Sequence, residues 1–303
     1  MTVVQKFIEL VEPKKLKIID TPKVVWLFGS GGDEIANIDA AETSSMRAGF
    51  WRWLFKNINS EQRSVFHVPE NYPNWNSIDS GYTNLVDFEL DLTAISSMVI
   101  IFSESAGSLA EIGLFATQES LFEQLIFVAE QKYIAEESFG TSRVVPSFLS
   151  LGPFKKIKDF VAEIKDENPI FSFSIEDKDS HFSELFSLVA AKLQTSSNQV
   201  FDIDNRRHQL LLILDLIHIL GKCTRKDILA CLEHFSIGMK RSDLERVLKL
   251  LNLIDLVHLK PQGNNVFYEI KKPQEHKHLV DFTGAGGTRF NRGDFKISLV
   301  QRS

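Results

Sequence analysis

MVIIFSESAGSLAEIGLFA, residues 98–116, decides how the first part of this 303-residue chain folds. Its first five residues form a continuous β-branched and aromatic run of strand length, the pattern of a strand covered on both faces. A small-residue loop follows at 103–108, and then Leu109, Ile112, Leu114 and Phe115 recur at helical spacing. The same order occurs upstream. Val24-Val25-Trp26-Leu27-Phe28 runs into Gly29-Ser30-Gly31-Gly32, and Thr43 or Ser44 stands ready to cap a helix through Met46, Phe50, Trp53 and Leu54. Residues 65–68 read as a second strand, 69–82 as a surface loop, 85–95 as a helix and 125–128 as another buried strand. The alternation continues less regularly through 155–193. Strands alternating with helices imply βαβ units, parallel pairing and right-handed crossovers, hence an α/β, Rossmann-like parallel sheet.

The length favours two domains over one. Hydrophobic residues at 44% and charged residues at 24% support a packed core and exclude global disorder. The sequence has no apolar run of the roughly 18 residues that span a bilayer, and its start has no cleavable leader pattern, so a cytoplasmic protein without a membrane partner is expected. Cys223 and Cys231 have no ligand-like spacing, which argues against a disulfide framework or a structural zinc. The polar stretch QTSSNQ at 194–199 reads as a linker, giving a domain at 1–200 and a smaller one at 201–303. In the latter, helices over 210–220, 225–234 and 242–251, the third started by a Ser242/Glu245 capping box, precede two strands around the turn 261–265. That is the winged-helix order. Residues 205–273 carry 12 Lys and Arg against 7 Asp and Glu, although the chain as a whole has a net charge of −6. Lys240, Arg241, Arg246 and Lys249 on the third helix are the candidate face for nucleic acid or a protein partner. The glycine-rich tail 284–293 is expected to be mobile.

In an open parallel sheet, ligands bind beyond the carboxyl ends of the strands, which here are the loops 29–33 and 103–111. Gly29, Gly31 and Gly32 allow close backbone approach, but their spacing fits neither a dinucleotide fingerprint nor a Walker A loop. Glu111 has two readings: a capping-box partner of Ser108, or a reactive carboxylate. Gly113, costly inside a helix, suggests close packing nearby. His208 and His218 lie on an apolar helix and read as packed residues; His234 and His258 stand alone, and His276 with His278 is too little for a metal site, so no metal is expected.

The stretch 98–116, taken with LFGSGGDEIAN at 27–37, resembles the signature of the nucleoside 2-deoxyribosyltransferase-like superfamily. With the winged-helix-like domain behind it, the pair is more closely similar to the effector toxins of retron anti-phage defence systems. The two motifs cover about 30 residues; the domain order covers most of the chain. The resemblance implies that Glu111 is the catalytic glutamate of an N-glycosidase acting on NAD or a related nucleotide, with NAD as substrate and no cofactor. It further implies that Gly29, Gly31, Gly32, Asp33, Asn37, Arg47, Glu89, Glu104, Ser105, Gly107 and Ser108 surround the substrate. The implied partners are a retron reverse transcriptase and its multicopy single-stranded DNA, with homo-oligomerisation left open. A noncatalytic nucleotide sensor joined to a DNA-binding domain is one alternative; a nucleoside (deoxy)ribosyltransferase is the other.

Overall fold

The computed structural model describes residues 1–37, 43–76, 81–131, 137–138, 144–145, 152–165, 167–272 and 277–300. The chain forms two compact units, one of residues 23–73 and 96–195, the other of residues 1–22, 74–95 and 196–303. The linker expected at 194–199 lies at the last of these junctions. Residues 1–22 and 74–95, which the sequence reading placed with the first domain, instead belong to the same unit as the C-terminal residues.

The first unit is built on five parallel strands: β1 (Val25–Phe28), β2 (Phe66–His67), β3 (Met98–Phe102), β4 (Leu125–Glu130) and β5 (Ile170–Phe173). They lie in the order β2-β1-β3-β4-β5. Every residue of β1 and β3 is buried, which is why both read as unbroken apolar runs. Its helices include α1 (Gly32–Ala36), α2 (Met46–Asn57), α3 (Ala106–Phe115), α4 (Gly152–Lys165) and α5 (Lys178–Lys192). Val25, Leu27, Ile100 and Phe102 face α2 and α5, packing with Phe50, Leu54, Phe182 and Leu185. On the opposite face, Phe28 meets Phe115 of α3, and Phe127 meets Phe154 of α4. The sheet is thus covered on both sides. Its order reverses direction between β1 and β3, and the crevice beyond their carboxyl ends is where such sheets bind ligands.

In the second unit, α6 (Arg206–Leu220), α7 (Arg225–His234) and α8 (Arg241–Leu253) accompany an antiparallel sheet of β6 (Cys223–Thr224), β7 (Val257–Gln262) and β8 (Asn265–Ile270). Asn205 caps α6, and a Thr224/Asp227 capping box starts α7. The box expected at Ser242 and Glu245 does not form. The N-cap of α8 is Lys240, and Glu245 instead pairs with Arg225 at 2.5 Å. The helix Leu85–Ile95 is fastened to this unit by charge: Asp91 accepts from Arg206 at 2.7 Å and from the Tyr82 hydroxyl at 2.9 Å, and Arg206 also reaches Asp243 at 2.9 Å.

The tail is ordered through residue 300, contrary to the expected mobility. Phe290 and Phe295 pack edge-on to Phe7, and Arg292 donates to Asp215, which is fully buried. The Asp215 carboxylate also accepts from the backbone N–H groups of Leu279 and Val280. Asp215, His218 and His278 have the ligand types of a metal cluster, with ligand atoms within 4.8 Å of one another. The cation that neutralises the carboxylate, however, is the protein's own guanidinium. Cys223 and Cys231 are buried thiols; burial pushes Cys231 up to about 12. Among the described residues no helix is long and apolar enough to cross a membrane.

Replacing Arg292 with Met would leave a buried carboxylate without its counter-ion, a change that costs about 3–5 kcal/mol in comparable pairs. Urea unfolding of R292M should therefore show a midpoint well below that of the parent.

A candidate active site at the switch point of the sheet

Two loops form the crevice walls. Gly29 follows β1 with φ +141°, and a Cβ there would stand 3.0 Å from Phe102 Cβ, so the turn passes the end of β3 this closely because the residue has no side chain. Gly31 caps α1 in a left-handed conformation, φ +83°, against Ser45, whose Cβ would be 2.8 Å from an added one. Gly32 backs onto Glu70. Asp33 and Asn37 are exposed on and just after α1.

Arg47, expected among the residues around the substrate, is committed to the protein itself. Only 2% exposed, it donates through Nε to Ser30 O at 2.7 Å and through Nη1 to Leu27 O at 3.3 Å, and it pairs with Glu70 at 2.5 Å. The guanidinium holds the glycine loop from beneath. The N-terminus of α2 is equally committed to the protein. Ser45 caps Ala48 N at 3.0 Å, while the Glu104 carboxylate accepts from Met46 N at 2.5 Å and Arg47 N at 3.2 Å. Glu34 accepts from the backbone and hydroxyl of Ser44, and that hydroxyl holds its carboxyl below the usual range. Two acidic side chains therefore complement the positive end of this helix, where free N–H groups would otherwise face the crevice.

The opposite wall is α3. Its N-cap is Ser105, in a reciprocal box with Ser108: Ser108 N donates to Ser105 Oγ at 3.1 Å, and Ser105 N to Ser108 Oγ at 3.1 Å. Ser108 Oγ also accepts from Glu104 N at 3.2 Å and donates to Ser105 O at 2.9 Å. Ser105, Ser108 and Glu104, expected around the substrate, are thus occupied in building the loop. Gly107 sits in the first turn with ordinary contacts.

This shift of the cap removes the capping-box reading of Glu111. The helix starts three residues before the position that would make Glu111 a capping partner, so the residue lies in the second turn and Ser108 has taken the capping role. Glu111 is half-buried, with one carboxylate oxygen shielded from solvent. The close packing suggested by Gly113 is not found: a Cβ there would meet nothing within 4 Å.

A family profile described as STM3845 retron effector protein matches residues 43–259, well over half of the chain. The chain belongs to this retron effector family. A curated relative from Escherichia coli, named "Retron Ec73 putative ribosyltransferase/DNA-binding protein", is 25% identical over 222 residues, which are 65% of this chain and 64% of the relative. The matched region thus spans slightly less than two thirds of that protein. The segment matched by the family profile contains Arg47, Glu104 and Glu111 and leaves the glycine loop outside.

Other expected positions belong to the second compact unit. Glu89 is on the helix Leu85–Ile95, in the second compact unit, 6% exposed, and burial pushes its carboxyl up to about 7. Arg246 is drawn inward by Asp243 at 2.9 Å, Asp87 at 3.5 Å and Asp91 at 3.7 Å; Lys249 lies 3.7 Å from Glu245. Of the four basic residues expected to meet nucleic acid or a partner, Lys240 and Arg241 are the exposed ones. Sequence reasoning missed Glu34, Ser45 and Glu70, which share no local spacing with the residues they hold.

Two outcomes check this geometry. The folded state keeps the proton on Glu89 to higher pH than the unfolded chain, so the group adds no penalty below the ordinary 4.5, an increasing one up to about 7, and a constant one above. E89Q should unfold at higher urea than the parent at pH 8, and the difference should vanish near pH 4. G113A, filling open space inside a helix, should stabilise the effector by about 0.5–1 kcal/mol in the same assay.

Proposed function

We infer that this effector is an N-glycosidase that hydrolyses the nicotinamide–ribose bond of NAD or of a related nucleotide, with Glu111 as the catalytic carboxylate. The observation that carries the reading is the position of Glu111: the second turn of α3, beside the β1/β3 crevice, with the capping of that helix done by Ser105 and Ser108. Breaking the C1′–N bond builds positive charge on C1′ and O4′, and a carboxylate at that point stabilises it more than it stabilises the ground state. Water then adds its oxygen to C1′ and releases one proton, either directly or by resolving a glycosyl ester on Glu111. Nicotinamide leaves as a neutral base, so this substrate needs no proton donor at the leaving group. Gly29, Gly31 and Gly32 give the nucleotide close access to backbone, and Asp33 and Asn37, exposed beside them, are placed for hydroxyl or base contacts.

Residues 206–270 of the second unit, three helices and a β-hairpin, are read as winged-helix-like, and the exposed Lys240 and Arg241 as the start of a surface for the retron's reverse transcriptase and single-stranded DNA. The name of the Escherichia coli relative, which includes DNA binding, supports this use. The same name favours one further reading of the chemistry, transfer of the ribosyl group to an acceptor other than water.

E111Q preserves shape while removing the charge and should lower NAD turnover at least about a hundredfold. Unchanged turnover would remove Glu111 from the catalysis, and a parent protein that turns over no NAD would favour a nucleotide-sensing regulator. Mass spectrometry of the products separates hydrolysis, which yields free ADP-ribose, from transfer, which yields an ADP-ribosyl adduct.

A further inference from the structure

The crevice contains a hydroxyl that the loop architecture does not use. Ser103 follows the last residue of β3, and its N–H donates to Val128 O at 2.8 Å, so the ladder to β4 runs one residue past the strand. Met98, Ile100 and Phe102 point to the face of α2; Val99 and Ile101, buried but outside that cluster, point to the face of α3. Alternation carries Ser103 to the α3 side as well.

Its height along the sheet follows from the register. Ile101 pairs with Phe28, and Phe28 packs on Phe115 at a ring separation of 6.0 Å, which fixes one layer shared by strand and helix. From that layer Ser103 lies two residues further along the strand, about 6.6 Å. Glu111 lies four residues back toward the N-terminus of α3, about 6 Å in the same direction. Ser103 and Glu111 therefore lie at the same height along the sheet, one layer beyond Ile101 and Phe115.

Ser103 is 7% exposed, and its Oγ has no hydrogen-bond partner among the described residues. The contrast with the neighbouring serines is sharp. Ser45, Ser105 and Ser108 are all consumed by caps, whereas Ser103 keeps a buried donor and two acceptor lone pairs unspent. A buried hydroxyl left so lowers stability, and a ligand that supplies a partner recovers that cost on binding.

The geometry points to Ser103 as a substrate-binding residue that hydrogen-bonds a hydroxyl of the ribose whose anomeric carbon faces Glu111. The assignment rests on the glycosidase reading of Glu111. The contact orients the sugar ring by one hydrogen bond beside the carbon that becomes electrophilic. An apolar replacement would leave the pocket's shape almost intact while removing the only interaction the side chain makes.

The test uses the full chain carrying E111Q, which should hold NAD without turning it over, with and without S103A. NAD binding is followed by calorimetry, and the thermal midpoint of S103A in the otherwise unaltered protein is measured without ligand. The expected result is a Kd raised roughly three- to tenfold, the loss of one hydrogen bond, together with a thermal midpoint equal to or above the parent's. Unchanged affinity in S103A overturns the assignment, as does a lowered midpoint, which would mean that the hydroxyl is part of the fold. If E111Q alone does not bind NAD and the parent does not cleave it, the NAD reading and the Ser103 contact fall together. Binding by E111Q with no effect of S103A sinks the contact alone.

Discussion

The guanidinium of Arg47 is the pin on which the crevice is hung. It lies beneath the turn that leaves β1, donating to two carbonyls of that segment and to the carboxylate of Glu70. Buried charge of this kind is tolerated only when paired and hydrogen-bonded throughout, and here it is. Because Arg47 is also the second residue of α2, the same side chain ties the strand, the glycine loop and the helix into one piece. Glu104 completes the arrangement from the other wall by placing its carboxylate on the N–H groups of Met46 and Arg47. The wall on the α2 side is therefore finished before any ligand arrives, with its charges answered by the protein itself. Such preorganisation suits a site that must stabilise charge developing on a substrate, since no protein dipole has to turn at that moment.

The strands and helices around this site were legible because strands covered on both faces leave unbroken apolar runs, and helices leave a three-to-four repeat. Met98–Phe102 and Arg225–His234 follow the sequence pattern to the residue. The strand order was not legible: it depends on contacts between segments far apart in the chain, and it is the order that locates the crevice. The assignment of individual polar residues was harder still. A serine, glutamate or arginine beside a glycine loop can serve a ligand or the loop, and residue type alone does not say which. Ser105, Ser108, Glu104 and Arg47 went to the loop. What shifted the balance for Glu111 was a matter of three positions, the distance between the expected and the actual start of α3.

The basic character of residues 205–273 gives a similar lesson. Twelve positive side chains against seven negative ones suggest a surface for phosphates. Yet Arg206 and Arg246 turn toward Asp87 and Asp91, acidic residues that lie more than a hundred positions upstream. Arg207 donates to the carbonyl of Ala94 from a buried position. Much of the local positive excess is neutralised inside the unit by a segment outside the counted window. Formal charge over a stretch of sequence is thus a poor guide to the potential at its surface when the fold brings distant stretches together.

The second compact unit draws on three separate stretches of chain, beginning with residue 1 and closed by Arg292 on Asp215. During synthesis its N-terminal and central stretches emerge long before the residues that complete their packing. The parallel sheet, in contrast, has all of its strands once residue 173 has left the ribosome. The sheet unit thus has its strands and, by residue 192, its last covering helix before the residues that close the helical unit are made, so the two halves are completed at different moments of translation.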